Sequence, residues 1–342
     1  VLTNPNRYLT TGSDERSLAL KKEFSNLTVQ AWQMATPMFD GSLPLIASKQ
    51  VGPGEPFRFI MESLVDPNDA KFHKTGTTIT GTNREFVEGT ITSDQVIVTA
   101  NETGIEDDTI SDINYRMNLA NSQVQTLKQR YEGYANRLHY SAALSAAVTK
   151  NGKTIHNGGN LVRNVAATVA TRYPDSTTGA DNFDTDAHIL AETMTNNFVP
   201  ESGRIMRITP YIARILRHRT SLFSRDFTSK NTLNSRVITE IAGFMVVVDP
   251  NIAALSSNFV DPDMSKYSID CRVAGTNGQP VALCTAGVME GKAPIGQAVR
   301  MGVTGSLDWE TRTNTWFAKT QMFLGMDKMH VYTAGAIAVR TT

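Results

Sequence analysis

The chain has little of what most functional classes need. Among its 342 residues are two cysteines, Cys271 and Cys284, too few for a disulfide framework and without the spacing of a redox or zinc pair. They read as free thiols in a reducing cytoplasm. Neither sign of charge prevails, since Lys and Arg total 33 and Asp and Glu total 33. A protein devoted to nucleic acid or to an anionic membrane draws its affinity from a basic excess, so both classes are disfavoured. The longest apolar run, around Phe244–Val248, is only a strand's length, and nothing is long enough to span a bilayer. The opening residues lack the basic-plus-apolar pattern of a secretory leader. The sequence shows no internal repeat and no low-complexity segment.

Reactive constellations are missing as well. Six histidines, His73, His139, His156, His188, His218 and His330, are scattered singly, and none stands at metal-ligand spacing. No Gly-x-Ser-x-Gly elbow, Walker loop or dinucleotide fingerprint occurs. Asp175, Asp181, Asp184 and Asp186 hint at calcium but lack the glycine and ligand order of an EF-hand, so a solvated loop with a helix cap is the plainer reading. Arg214, Arg217, Arg219 and Arg225 read as a solvated face or an intersubunit salt-bridge patch rather than a phosphate site. Trp309 and Trp316 fall in strand-like segments and read as core or interface aromatics. Nothing here supports catalysis, and no cofactor or metal is expected.

What the chain does have is one long helical pattern, Thr109–Thr149. Ile110, Ile113, Met117, Ala120, Val124, Leu127, Tyr131, Tyr134, Leu138 and Ala142 recur in steps of three and four. Thr109 with Asp112 reads as a capping pair, and Glu106, Asp107 and Asp108 suit the positive end of the helix. Lys150, Asn151 and Gly152 are expected to close it. A helix of roughly 40 residues is about 60 Å long at 1.5 Å per residue, longer than a compact domain is wide. Arg116, Lys128, Arg130 and Arg137 exclude a membrane span. No second stripe offers a coiled-coil partner, so the helix reads as the strut of an elongated molecule.

The rest of the chain is arranged around this strut. Residues 1–16 read as a polar arm, and Ser17–Met38 as a helix ended by Pro37. Phe57–Glu62 alternates as a strand does. Arg84–Thr92 and Gln95–Ala100 read as two strands joined at Ser93-Asp94. Between them and the first strand, residues 70–83 are rich in threonine and glycine, with little apolar surface to bury. That tip is expected to project and to order against another surface. Beyond the strut, residues 151–183 read as loops around a short apolar piece. A helix is expected over Asp184–Phe198, capped by Asp184 or Thr185. A short strand follows at Arg204–Ile208, then a helix with Pro210 at its favoured first position. Gly243–Val248 reads as a strand buried on both faces. Short strands close the chain at Val281–Thr285, Val299–Leu307, Thr315–Leu324 and Val331–Val339.

This order of parts resembles the major capsid protein of tailed bacteriophages, of the short-tailed type. The fold is shared with encapsulins and the floor of herpesvirus capsids. Local text agrees: Asn197-Phe198-Val199-Pro200 through Arg204, Pro210-Tyr211, Arg225-Asp226-Phe227, Ile241-Ala242-Gly243-Phe244-Met245-Val246-Val247, Pro294-Ile295-Gly296-Gln297-Ala298-Val299, and Lys319-Thr320-Gln321-Met322 through Gly325-Met326. The resemblance implies an α+β fold in four parts. These are an arm with a helix (1–50), an extended β-hairpin loop (51–104), a peripheral domain (105–183 and 285–342) built on the strut as spine helix, and an inserted axial domain (184–284). It implies a non-enzymatic shell subunit that forms hexamers and pentamers of an icosahedral head around double-stranded DNA. Assembly would take place in the host cytoplasm, with scaffolding and portal proteins as further partners. DNA contact is expected to be weak and unselective, and no membrane is involved. Phe72, Lys74, Thr77, Ile79, Arg84, Arg217, Arg219 and Arg225 are the expected subunit-interface residues.

Two other readings compete. An encapsulin-type compartment would hold protein cargo rather than DNA. A two-domain enzyme or binding protein would place its site near Asp184 and Thr285 and would need convergent acid, base or metal ligands there. The helical strut makes a direct prediction: Leu127→Pro should abolish soluble protein, read as loss of the band from the soluble fraction. Normal assembly of that variant would disprove the helix.

Overall fold

The computed structural model describes residues 38–39, 45–64, 73, 75, 78, 81, 83–104, 113–218, 240–254, 268–269, 272–273, 276–288, 291–310 and 315–340. The arm and its expected helix, the start of the strut at 109–112 and most of the loop tip lie outside these residues. The first strands are β1 (Ala47–Gln50), β2 (Phe57–Glu62), β3 (Phe86–Ile91) and β4 (Gln95–Gly104), followed by the long helix α1 (Ile113–Ala143). Then come β5 (Val148–Lys150), β6 (Lys153–His156), β7 (Asn160–Val165), α2 (Val169–Arg172), α3 (Thr177–Asn196), β8 (Ile205–Ile208) and α4 (Pro210–Leu216). The chain finishes with β9 (Glu240–Ile241), β10 (Phe244–Val248), β11 (Arg272–Val273), β12 (Thr276–Thr285), β13 (Ile295–Glu310), β14 (Thr315–Lys328) and β15 (Ala334–Arg340).

Two main sheets flank α1. One has the order β1-β13-β14-β4, and the other β7-β15-β12-β8-β10-β9 with β11 on β12. The strand period of two sorts the larger sheet into faces. Ile205, Leu283, Ala336 and Ala338 pack with Leu127, Leu138 and Ala142 of α1. Met206, Ile208, Cys284, Ile337 and Val339 pack on the other face with Phe183, Leu190 and Met194 of α3 and Ile212 and Ile215 of α4. The alanines of β15 let α1 lie close to the sheet. From the four-stranded side come Met322, Leu324 and Met326. There Gln123 donates to the Ala318 carbonyl (2.9 Å) and accepts from Thr320 (2.8 Å).

Being covered by two sheets, α1 is buried well beyond one stripe. Lys128, Glu132, Asn136 and His139 are all inside. Glu132, Asn136 and His139 meet Arg207 of β8, whose side chain is fully buried. Arg207 pairs with Asp249 (3.0 Å), donates to Asn136 Oδ1 and His139 Nδ1 (2.9 Å for the latter), and lies 3.8 Å from Glu132. Because arginine only donates, His139 Nδ1 is the acceptor and its Nε2–H donates to the Cys284 carbonyl (2.9 Å). Burial and the Arg207 charge lower the His139 pKa to about 3, so this ring stays neutral. Burial raises the Glu132 carboxyl to about 7; Arg207 opposes that rise and Asp249 adds to it.

Several expectations change. The helix ends at Ala143, not Thr149, and its 31 residues span about 46 Å. The Gly158-Gly159 backbone crosses its end; a Cβ on Gly159 would collide with the Ala142 and Ala143 carbonyls, and Gly159 N donates to Ser145 O (2.9 Å). Lys150-Asn151-Gly152 is instead the turn of the β5–β6 hairpin, with φ of 49° at Asn151 and 78° at Gly152, the two left-handed positions of a tight primed turn. The helix expected from Asp184 starts at Thr177 with Ser176 as N-cap. Asp181, Asp184 and Asp186 therefore lie in a helix, not a solvated loop. Asp186 is buried against Arg172 (2.8 Å), Tyr173 (2.7 Å) and Asn164 (2.8 Å). β10 is not buried on both faces: Met245 is 42% and Val248 48% exposed, because only the two-residue β9 lies beyond it. β3 and β4 do not pair with each other. β3 pairs with β2, whereas β4 joins β14, so residues 95–104 belong to the body and not to the loop. β12 crosses position 284/285 and pairs with both β8 and β15, so segments 184–284 and 285–342 share one sheet.

The buried cluster gives a stability prediction. Arg207→Ala leaves Asp249 and Glu132 without their cation in a dry interior, a loss of about 3–5 kcal/mol for a broken buried pair. Urea unfolding should show that drop. A loss below about 1 kcal/mol would mean that the guanidinium does not hold α1 to the sheet.

Candidate assembly surface

β2 and β3 form a two-stranded ribbon with Phe57 opposite Ile91 and Glu62 opposite Phe86. Alternation gives it two unlike faces. Phe57, Phe59, Met61, Val87 and Ile91 are half-buried or buried, and Phe57, Phe59 and Ile91 pack with Val51 and Ala298 at the base. Gly89 is required there, since a Cβ would fall within the Phe59 ring. The opposite face carries Arg58, Ile60, Glu62, Phe86, Glu88 and Thr90, all exposed. Ile60 is 65% and Phe86 51% exposed. They sit between two ion pairs, Arg84–Glu62 (2.6 Å) and Arg58–Glu88 (3.5 Å). Exposed pairs of this kind add little stability to a monomer. Large apolar side chains held out among charged ones are instead a make-up that suits an interaction surface.

The ribbon is braced. Lys150 donates to the Phe86 carbonyl (2.6 Å), Lys153 to that of Asn83, and Leu64 N to Thr154 O (2.8 Å). Phe59 meets His330 edge-on at 5.8 Å, His330 meets Tyr332 at 5.8 Å, and Tyr332 stacks on His156 at 6.4 Å. Burial lowers the His330 pKa to about 4, with Lys292 and His156 adding to the effect. Burial also lowers the His156 pKa. Both imidazoles are thus neutral spacers between the ribbon and the body.

Of the expected interface residues, the structure places Arg84 on the ribbon and Arg217 exposed just past α4. Phe72, Lys74, Thr77, Ile79, Arg219 and Arg225 lie outside the described residues. Sequence reading missed Ile60 and Phe86, although alternation over Phe57–Glu62 assigned Ile60 the face opposite Phe57 and Phe59. No group of three metal-capable side chains occurs among the described residues. One cleft of about 390 Å³ lies between Thr90–Gln95, α1 and the end of β14, and a hollow of about 360 Å³ lies at the end of α3. Neither is lined by Asp184 or Thr285, the junction a two-domain enzyme would use.

The fold as a whole is similar to that of known structures. The capsid of the cyanophage P-SCSP1u is similar with a TM-score of 0.69 at 17% identity, over 87% of each chain. The chain has the fold of a bacteriophage capsid protein. The mature capsid of bacteriophage PhiM1 is similar with a TM-score of 0.66 at 12% identity over 86% of each chain. The acid-stable capsid of Helicobacter pylori bacteriophage KHP30 gives 0.50 at 12% identity over 90% of this chain and 92% of that one. No protein-family model and no curated protein matches the sequence. The likeness is one of fold, at an identity where sequence comparison is silent.

The neutral histidines make the ribbon base acid-sensitive. His330 has its folded pKa lowered from 6.5 to about 4, so the unfolded chain binds more protons between those values. Stability is then lost as pH falls from about 6.5 towards 4. His330→Phe should flatten this part of the profile, giving a smaller drop in urea midpoint between pH 7 and 5 than in the parent chain. An unchanged drop would exonerate His330.

Proposed function

We propose that the chain is the major capsid protein of a tailed bacteriophage, and that it assembles as hexamers and pentamers into an icosahedral head around double-stranded DNA. The observation that carries this reading is similarity over 87% of both chains to a phage capsid, with a TM-score of 0.69. The exposed Ile60 and Phe86 on the ribbon support it. Burying Ile60 and Phe86 on a neighbour would contribute roughly 1.5–3 kcal/mol each if burial were complete. Repeated around a closed shell, modest contacts of that size add up to a stable particle. In this reading α1 is the spine of the peripheral part, and the segment within 184–284, which joins β15 in one sheet, carries the axial part facing the capsomer centre. Scaffolding and portal proteins are further partners, and the protein resides in the virion after assembly in the host cytoplasm. The equal counts of acidic and basic residues suit a wall against densely packed DNA that must later be released.

A negative-stain micrograph of the purified protein, with the nucleic-acid content of any particles, tests the proposal. Closed shells support it, whereas a monomer that turns over a substrate defeats it. Shells enclosing protein cargo instead of DNA point to a cellular compartment. A second measurement separates folding from assembly. Replacing Lys74–Asn83 by a short Gly-Ser turn should leave circular dichroism nearly unchanged while closed particles disappear from sedimentation. The tip has too few large apolar side chains to offset an ordering entropy of about 1–2 kcal/mol per residue. Normal particles without it, or collapse of the subunit, would refute its role as an assembly element.

A further inference from the structure

α3 ends on a residue poorly suited to its place. Val199 N donates to Met194 O (2.9 Å) and Phe198 N to Thr195 O (3.0 Å), closing the last turn with Phe198 at φ 60°. Glycine is the usual occupant of such a position, because a Cβ is strained there. Phe198 also holds its ring 77% exposed. Neither feature helps one subunit fold.

A hollow at the end of α3 is lined by Asn196 and Glu201, which bracket Phe198 in the chain, with Glu192 and Glu201 exposed on its rim and Ala242-Gly243 of the β9–β10 turn as one wall. Arg204 also lines it, but its guanidinium is taken up by the carbonyls of Pro200 (2.9 Å), Ala191 (3.2 Å) and Val199 (2.7 Å) and by Thr195 Oγ1 (3.0 Å). Two carboxylates against one guanidinium leave the hollow net acidic. Opposite charge stands at the other end of α3, about 30 Å away at 1.5 Å per residue. There Arg214 (3.1 Å) and His218 (2.8 Å) gather on Asp175, and Arg217 is exposed with no ion pair among the described residues.

The geometry points to a head-to-tail contact between copies of this chain, in which Arg217 of one copy enters the acidic hollow of the next and lies against its Phe198. The inference rests on the shell reading above. The two halves of the contact are different surfaces at opposite ends of α3, so the contact is heterologous and propagates from copy to copy, as a ring of subunits requires. Complementary charge sets the register, and a guanidinium over an aromatic face adds attraction once water is excluded.

The test uses the full chain and reads assembled fraction by sedimentation and micrograph, with Tm measured on unassembled subunits. Phe198→Gly should raise the subunit Tm, since strain and an exposed ring are both removed. The same variant should lower the assembled fraction by about tenfold, the effect of one lost anchor contact. Glu192→Lys with Glu201→Lys should prevent assembly, and adding Arg217→Glu should restore it. Wild-type yield from Phe198→Gly or from the double lysine variant would overturn the contact, as would failure of the charge swap to restore particles. If the parent chain itself forms no particles, the shell reading fails, an outcome distinct from failure of the variants alone.

Discussion

Everything in this subunit depends on keeping α1 between two sheets, and the demanding part of that contact is ionic. Arg207 projects from the middle of a buried sheet, and its charge is met by Asp249 and, more distantly, Glu132. An apolar face alone would let a helix slide along a sheet at little energetic cost. A buried guanidinium that needs Asn136, His139 and Asp249 in fixed places does not tolerate sliding. Desolvating these charges offsets most of what their attraction provides, so the cluster's value lies in specificity more than in net stability.

A fixed α1 in turn positions both proposed contact surfaces. Its C-terminal end leads into the β5–β6 hairpin, whose lysines hold the ribbon backbone. Through the larger sheet it faces α3, the rod that separates the acidic hollow from the basic end. A change in how α1 sits would therefore move ribbon and rod together, because each packs on an element that α1 touches.

Some of this was legible in the residues alone. The step of three and four from Val124 to Leu138 located the helix core, alternation in Phe57–Glu62 located a strand, and Pro210 after Thr209 marked a helix start that the structure retains. Errors arose where a pattern was correct but its context was invisible. Glu132, Asn136 and His139 gave no sign of their burial in the sequence, since a second sheet was needed to cover them. Lys150-Asn151-Gly152 carried a stop signal that helix ends and hairpin turns share. The run Phe244–Val248 looked central but lies near a sheet edge.

The sequence by itself determined the local elements, the absence of a recognisable catalytic motif, and the order of parts that resembles a capsid subunit. Those follow from short-range periodicity and from residue chemistry, which are written along the chain. Tertiary structure alone decided that β3 pairs with β2 while β4 pairs with β14, that Arg207 meets α1 across 68 or more residues of chain, and that Arg214 and His218 reach Asp175 before the start of α3 while Phe198 follows its end. Pairing over such separations is set by which surfaces can be buried together, a property of the packed chain that no local window contains.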